Sequence, residues 1–341
     1  MVAEINRPKA LNALNLEVVT CMNEKLAEWN KIESGVSCFI LKGTGEKAFC
    51  AGGDVKAIWK TENPMDFAKS FFSNEYRMNH ALHISTIPQV SLWDGVVMGG
   101  GVGISMFGKF KICTDKTVFA MPETAIGLFP DVGSSYWLSK LKGGYGEYIG
   151  LTGCRLSPAD LLHLGIATHY IPAERLGALE EEIVQRVSSD RNSVIETLNT
   201  ALSKYEEPVE RSEESLSISG DVREVFEASD NVESIFAKLE DLDKKSNPWA
   251  SNILSSLLKA SPTSLEITLR QIRQARDKNL SLRECLKMVN SLFHGIDYVF
   301  LFLFPSLPFS SLLFSSLPFS SLLFPSLLKF NSMCILCIPG I

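Results

Sequence analysis

A chain of 341 residues, 45% hydrophobic and 21% charged, is long enough for one large domain or two ordinary ones and has a globular balance. The formal net charge of −6 argues against a nucleic-acid binder, because neutralising phosphates needs a basic field. Most of the eight cysteines stand singly in apolar runs, which reads as reduced thiols rather than a disulfide framework. Cys334 and Cys337 form a C-x-x-C pair with no second pair to complete a zinc site. The five histidines show no ligand spacing, His80 and His83 reading as helix-surface residues, so no metal is expected.

In chain order, VAEINRP (Val2 to Pro8) opens inside a strand, without the pattern of a signal or transit peptide. Helical spacing runs from Leu16 to Ile32, and VSCFILKG (Val36 to Gly43) reads as a buried strand closed by glycine. A first glycine-rich loop follows, AFCAGGDVK (Ala48 to Lys56). Helical spacing returns over Pro64 to His83, then a strand, PQVSLWDG (Pro88 to Gly95). A second glycine-rich loop, DGVVMGGGVGISMFG (Asp94 to Gly108), leads to FKICTD, another strand ending at Asp115. Strand, helix, strand in this rhythm predicts an α/β core.

PETAIGLFPDVG (Pro122 to Gly133) then sets Glu123 and Asp131 eight positions apart in an otherwise apolar loop. Either the two carboxylates cap successive helices or they converge on a substrate, and local sequence leaves both open. From Ala173 onward the chain is helical and charged, with apolar faces in RLGALEEEIVQRV, NVESIFAKLEDL and SLEITLRQIRQARD. Ser261 and Pro262 supply an N-cap and a first helical position for the last of these. The acidic stretch Glu206 to Ser215 reads as a solvated loop.

From Leu301 to Leu328 every residue is Phe, Leu, Pro or Ser, and SLPFSSLLF occurs at Ser306 and again at Ser316. Prolines at 305, 308, 318 and 325 recur too often for a spanning helix. These residue types share pyrimidine-rich codons, so residues 291–341 read as a translated low-complexity repeat rather than a membrane anchor.

Nucleotide motifs fail. Gly103-x4-Gly108-Lys109 mimics a phosphate-binding loop, but Phe110 stands where a hydroxyl is required, and Ile104 breaks the G-x-G-x-x-G register. Two glycine turns, each after a strand, can instead aim backbone N–H groups at one oxygen, assisted by a helix starting after Gly101. That is an oxyanion hole. Either loop alone reads as a tight turn.

Taken together and in order, INRPKALNALN, FCAGGD, GGG, the PE segment, LTGCRLSPADLLHLGIATHYIP and SPTSLEITLRQIRQ resemble the crotonase (enoyl-CoA hydratase/isomerase) superfamily over most of the chain. The resemblance implies an α/β fold, a spiral of ββα repeats over 1–172 with a helical C-terminal region over 173–290. It implies a small-molecule acyl-CoA substrate and no separate cofactor, CoA being part of the substrate. Gly53 and Gly100 match the oxyanion-hole glycines, and Ala51, Gly52, Asp54 and Val55 match the loop along CoA. Where hydratases carry a further Glu, this chain has Gly103.

Glu123 with Asp131, and FFSNEYRMN upstream, resemble the branch that hydrolyses 3-hydroxyisobutyryl-CoA in valine breakdown. By that resemblance Glu123 and Asp131 are catalytic, and Glu75, Gly100, Glu123 and Asp131 contact substrate. The alternatives are a hydratase or isomerase of the same fold, or a catalytically impaired splice product. Neither nucleic acid nor membrane is an expected partner, and a homo-oligomer stays open. The resemblance implies the mitochondrial matrix, with the peroxisome as alternative. It also implies a missing first strand and a family-like C-terminus replaced after Met288, hence low solubility and weak activity.

Overall fold

Helix α1 (Leu16–Trp29) buries Val19, Met22, Leu26 and Trp29, one stripe at three- and four-residue spacing, and begins where the Asn15 side chain accepts from Val18 N–H at 3.0 Å. The computed structural model describes residues 1–189, 193–209 and 219–295. The Phe/Ser/Leu/Pro repeat, Cys334, Cys337 and most of the acidic stretch lie outside the described residues.

The strands in chain order are β1 (Val2–Ile5), β2 (Phe39–Gly43), β3 (Ala48–Cys50), β4 (Gln89–Trp93), β5 (Val96–Met98), β6 (Phe110–Cys113), β7 (Val118–Ala120) and β8 (His169–Tyr170). They form a five-stranded sheet, β1-β2-β4-β6-β8, and a three-stranded sheet, β3-β5-β7, with every named pair parallel. Parallel sheets are covered on both faces, which is why β4 is buried along its whole length, Gln89 and Ser91 included, and β2 from Phe39 to Leu41. Alternate residues divide the larger sheet between two cores. Phe39, Leu41, Trp93 and Cys113 join the main core, while Ile40, Val90, Leu92 and Ile112 pack with Leu179, Ile183, Leu198 and Leu202.

The ββα repeat is visible as β2–β3 followed by α2 (Val55–Trp59), β4–β5 followed by α4 (Gly100–Gly103), and β6–β7 followed by a 3₁₀ turn at Glu123–Ile126. Between the first two lies α3 (Pro64–Ile84), packed along α1. This corrects the sequence reading, in which each glycine loop directly follows a strand of the main sheet. Each follows its own three-residue strand, β3 or β5, too short for a two-residue period to register. Boundaries also contract: α1 ends at Trp29 rather than Ile32, which enters a separate 3₁₀ turn, and β2 begins at Phe39 rather than Val36.

The C-terminal helices follow the predicted periodicity, at Leu176–Ser189, Val232–Lys244 and Pro262–Asp277, with Ser261 capping the last. Buried Glu147 pairs with Arg276 at 2.6 Å and ties that last helix to the core. The described cysteines are free; Cys38, Cys50, Cys113 and Cys285 are buried, whereas Cys21 lies on the exposed side of α1. His83 is exposed and His80 half-buried.

Candidate active site

Two glycine turns meet at one point. Leu14 N–H donates to Gly52 O and Asp54 N–H donates to Leu14 O, both at 2.8 Å. This parallel bridge leaves the Gly53 N–H outside the ladder. Gly52, at φ +113°, makes the turn that allows it. On the second loop Gly99 adopts φ +48°, and Gly100 heads α4, so its N–H has no partner within that turn. A Cβ at position 100 would lie 3.1 Å from Gly53 N and 2.5 Å from Glu75 Oε1. A Cβ at position 99 would lie 2.8 Å from Glu123 Oε1. The missing side chains are what let two carboxylates approach the backbone. Because α4 is four residues long, the individual N–H groups matter here more than any helix dipole.

Ala51, Gly52, Asp54 and Val55 share the first loop. Asp54 Oδ1 caps α2 through Ala57 N–H at 3.1 Å, and Oδ2 pairs with Arg7 at 2.8 Å. Its side chain is a loop anchor.

Glu75, Glu123 and Asp131 are 2%, 5% and 6% exposed, an acid cluster in the interior. Capping is ruled out for the pair that raised the question. Glu123 lies inside the 3₁₀ turn, with Pro122 before it, and α5 (Ser134–Leu138) is headed by Gly133 rather than Asp131. Asp131 instead accepts from the Tyr76 hydroxyl at 2.8 Å. Glu75 Oε1 and Glu123 Oε2 are buried without a partner, as are both amide atoms of Asn79, one helical turn beyond Glu75 on α3. Each such group costs about 1–3 kcal/mol unless something meets it, so polar atoms aimed into this space mark it as a site.

Burial sets the protonation. It pushes Glu123 up to about 8, with the Asp131 charge adding to the effect. Burial also raises Asp131, to about 6, against the opposing hydrogen bond from Tyr76. Glu75 is raised well above the ordinary carboxylate range by burial first, then by Asp131 and Glu123. Glu123 therefore holds its proton at neutral pH, and burial shifts Glu75 in the same direction.

The structure brings Gly53, Gly100, Glu75, Glu123 and Asp131 to one centre. Sequence reasoning missed Tyr76, Asn79 and Gln271. A signal was available: Tyr76 and Asn79 are polar members of the buried face of α3, and Gln271 interrupts the buried stripe of its helix between Thr268 and Ala275. Among the described residues no group of three or more His, Cys, Asp and Glu is arranged to hold a metal.

Paired backbone N–H groups facing buried acids, set on stacked ββα units, define a class of enzymes that stabilise charge on a carbonyl oxygen. The chain belongs to the enoyl-CoA hydratase/isomerase family, whose sequence profile matches residues 1–295 and whose members act on acyl-CoA substrates. It is 40% identical over 293 residues to the mitochondrial 3-hydroxyisobutyryl-CoA hydrolase of Dictyostelium discoideum, covering 83% of this chain and 75% of that one. It is 42% identical over 275 residues to 3-hydroxyisobutyryl-CoA hydrolase 1 of Arabidopsis thaliana, covering 80% and 71%. Among solved structures, a carnitinyl-CoA dehydratase from Mycobacterium thermoresistibile superposes with a TM-score of 0.73 at 35% identity, covering 84% of this chain and 80% of that one.

Proposed function

We propose that the chain hydrolyses 3-hydroxyisobutyryl-CoA to 3-hydroxyisobutyrate and free CoA, a step of valine breakdown. The observation that carries this reading is the burial of Glu123 and Asp131 beside the Gly99–Gly100 turn, with Asp131 held by Tyr76. Relatives of that name at about 40% identity support it. A mitochondrial location is supported by the name of the Dictyostelium relative, and within that organelle the matrix is the compartment proposed.

In this scheme the Gly53 and Gly100 N–H groups bind the thioester oxygen and stabilise it as it becomes an oxyanion. Glu75 stands beside them. As a neutral acid it does not repel the developing charge and can donate to it; as a carboxylate it would oppose it. Glu123, once deprotonated, either attacks the carbonyl carbon or takes a proton from an attacking water. In the water route the new C–O bond forms, the C–S bond breaks, and the proton passes to the departing CoA sulfur. In the direct route a Glu123 oxygen bonds to the acyl carbon as the C–S bond breaks, and the CoA thiolate leaves to be protonated. Water then opens the acyl-Glu123 anhydride. A single turnover in labelled water leaves label in the Glu123 carboxylate when water attacks the Glu123 carboxyl carbon, or in the product acid when it attacks the acyl carbon. Asp131 accepts from the substrate's 3-hydroxyl. CoA lies along Ala51, Gly52, Asp54 and Val55, met through the backbone because the Asp54 carboxylate is already engaged.

Thiol release from 3-hydroxyisobutyryl-CoA, measured beside hydration of crotonyl-CoA by absorbance, tests the proposal. Thiol release without hydration is expected. Dominant hydration would assign the chain to the alternative chemistry of the same fold, and neither activity would make it catalytically silent.

A further inference from the structure

Asp131 sits in a turn that its local sequence disfavours. The next residue, Val132, has φ +45°, a left-handed backbone that a β-branched side chain adopts only under constraint. Gly133 follows at φ +79°. Such strain persists only where the surroundings fix it, and three contacts do so. Val132 is seated on α4, its Cβ 2.6 Å from where a Cβ of Gly103 would stand. Gly133 is hemmed in by Leu282, whose Cδ1 lies 2.5 Å from where a Cβ at that position would be. The polar fastening is at Pro130. Gln271, 2% exposed on helix Pro262–Asp277, donates from Nε2 to Pro130 O at 2.6 Å, across 141 residues of chain. That carbonyl belongs to the peptide joining Pro130 to Asp131. Rotating it would swing the Asp131 carboxylate out of reach of Tyr76.

We propose that Gln271 is a positioning residue for substrate recognition, pinning the Pro130 carbonyl so that the strained Asp131–Val132 turn presents its carboxylate to the hydroxyl of a hydroxyacyl thioester. The inference rests on the reading of Asp131 as acceptor of that hydroxyl. Gln271 touches no substrate; its influence passes through Asp131. The helical C-terminal region thereby takes part in specificity as well as covering the core.

A buried helix-to-loop hydrogen bond could serve stability alone, so the test needs a readout that stability does not move. With the full chain, kcat/KM by thiol release is measured for 3-hydroxyisobutyryl-CoA and for isobutyryl-CoA, which lacks the hydroxyl. Wild type, Gln271→Met, Asp131→Asn and the double variant are compared, with Tm for each. Gln271→Met should lower the hydroxyacyl-to-acyl ratio roughly tenfold, the size of one buried hydrogen bond. In the Asp131→Asn background it should change that ratio by less than about twofold, because both act on one contact. A fall in Tm with an unchanged ratio, or two losses that multiply, would overturn the proposal. An Asp131→Asn protein with an unaltered ratio would show instead that the hydroxyl reading itself is at fault, and Gln271 would lose its role with it. Should Gln271→Met fail to fold, Gln271→Asn keeps the amide and draws the donor back by one methylene; a partial loss of the ratio is expected, and no loss refutes.

Discussion

Replacing Glu123 by Gln should make the protein more stable and less active at once, with the stability gain appearing only at high pH. Burial raises the Glu123 carboxyl from 4.5 to about 8. A group raised in the folded state carries no charging cost below its unfolded value, and the cost grows as pH climbs from 4.5 to about 8. At pH 9 the full cost applies, roughly 4–5 kcal/mol. Glutamine removes it but leaves an amide where Oε2 has no partner, returning about 1–3 kcal/mol. The expected net gain is about 2 kcal/mol at pH 9, a rise of a few degrees in Tm, and nothing or a slight loss at pH 4.5. Turnover should fall by roughly two to four orders of magnitude. In the parent protein kcat/KM should climb with pH until Glu123 is deprotonated, levelling off above about 8. Melting curves from pH 4.5 to 9, with thiol release on the same samples, decide it. A Tm difference that does not change with pH would refute the burial argument, and near-normal turnover would refute the catalytic one.

Asp131→Asn should penalise a hydroxyacyl-CoA far more than the corresponding unsubstituted acyl-CoA, because a site built around a hydroxyl suffers only when one is present; equal losses in kcat/KM would argue against it. Tyr76→Phe deletes the hydrogen bond that lowers the Asp131 pKa, so the titration of Asp131, followed by NMR, should move upward from about 6, and an unmoved titration would discount the bond. Gly100→Ala brings a methyl to 2.5 Å from Glu75 Oε1 and should cost on the order of a hundredfold in rate. At Gly53 the nearest obstacle is the edge of Phe71 at 3.3 Å, so Gly53→Ala should be the milder change, and the reverse order in kcat would contradict the geometry.

Much of this was written in the chain itself. Helix α1 announces itself by the Asn15 cap and the stripe from Val19 to Trp29, and helix Pro262–Asp277 by Ser261 and Pro262, because caps and periodicity are local physics. The order of the glycine loops and of Glu123 and Asp131 was equally legible and carried the family. The strands β3 and β5 were not, since three residues give no period and their parallel partners are distant in sequence. Nor could the sequence choose between capping and convergence for the two acids. That was decided by Tyr76 reaching across 55 positions to Asp131, and by Glu75 arriving at Gly100 from another helix. Gln271 is the furthest case, a polar residue in an apolar stripe whose partner is 141 positions away. Protonation follows the same rule: a carboxyl's pKa is set by the solvent excluded around it and the charges beside it. Both exist only after the chain has closed on itself.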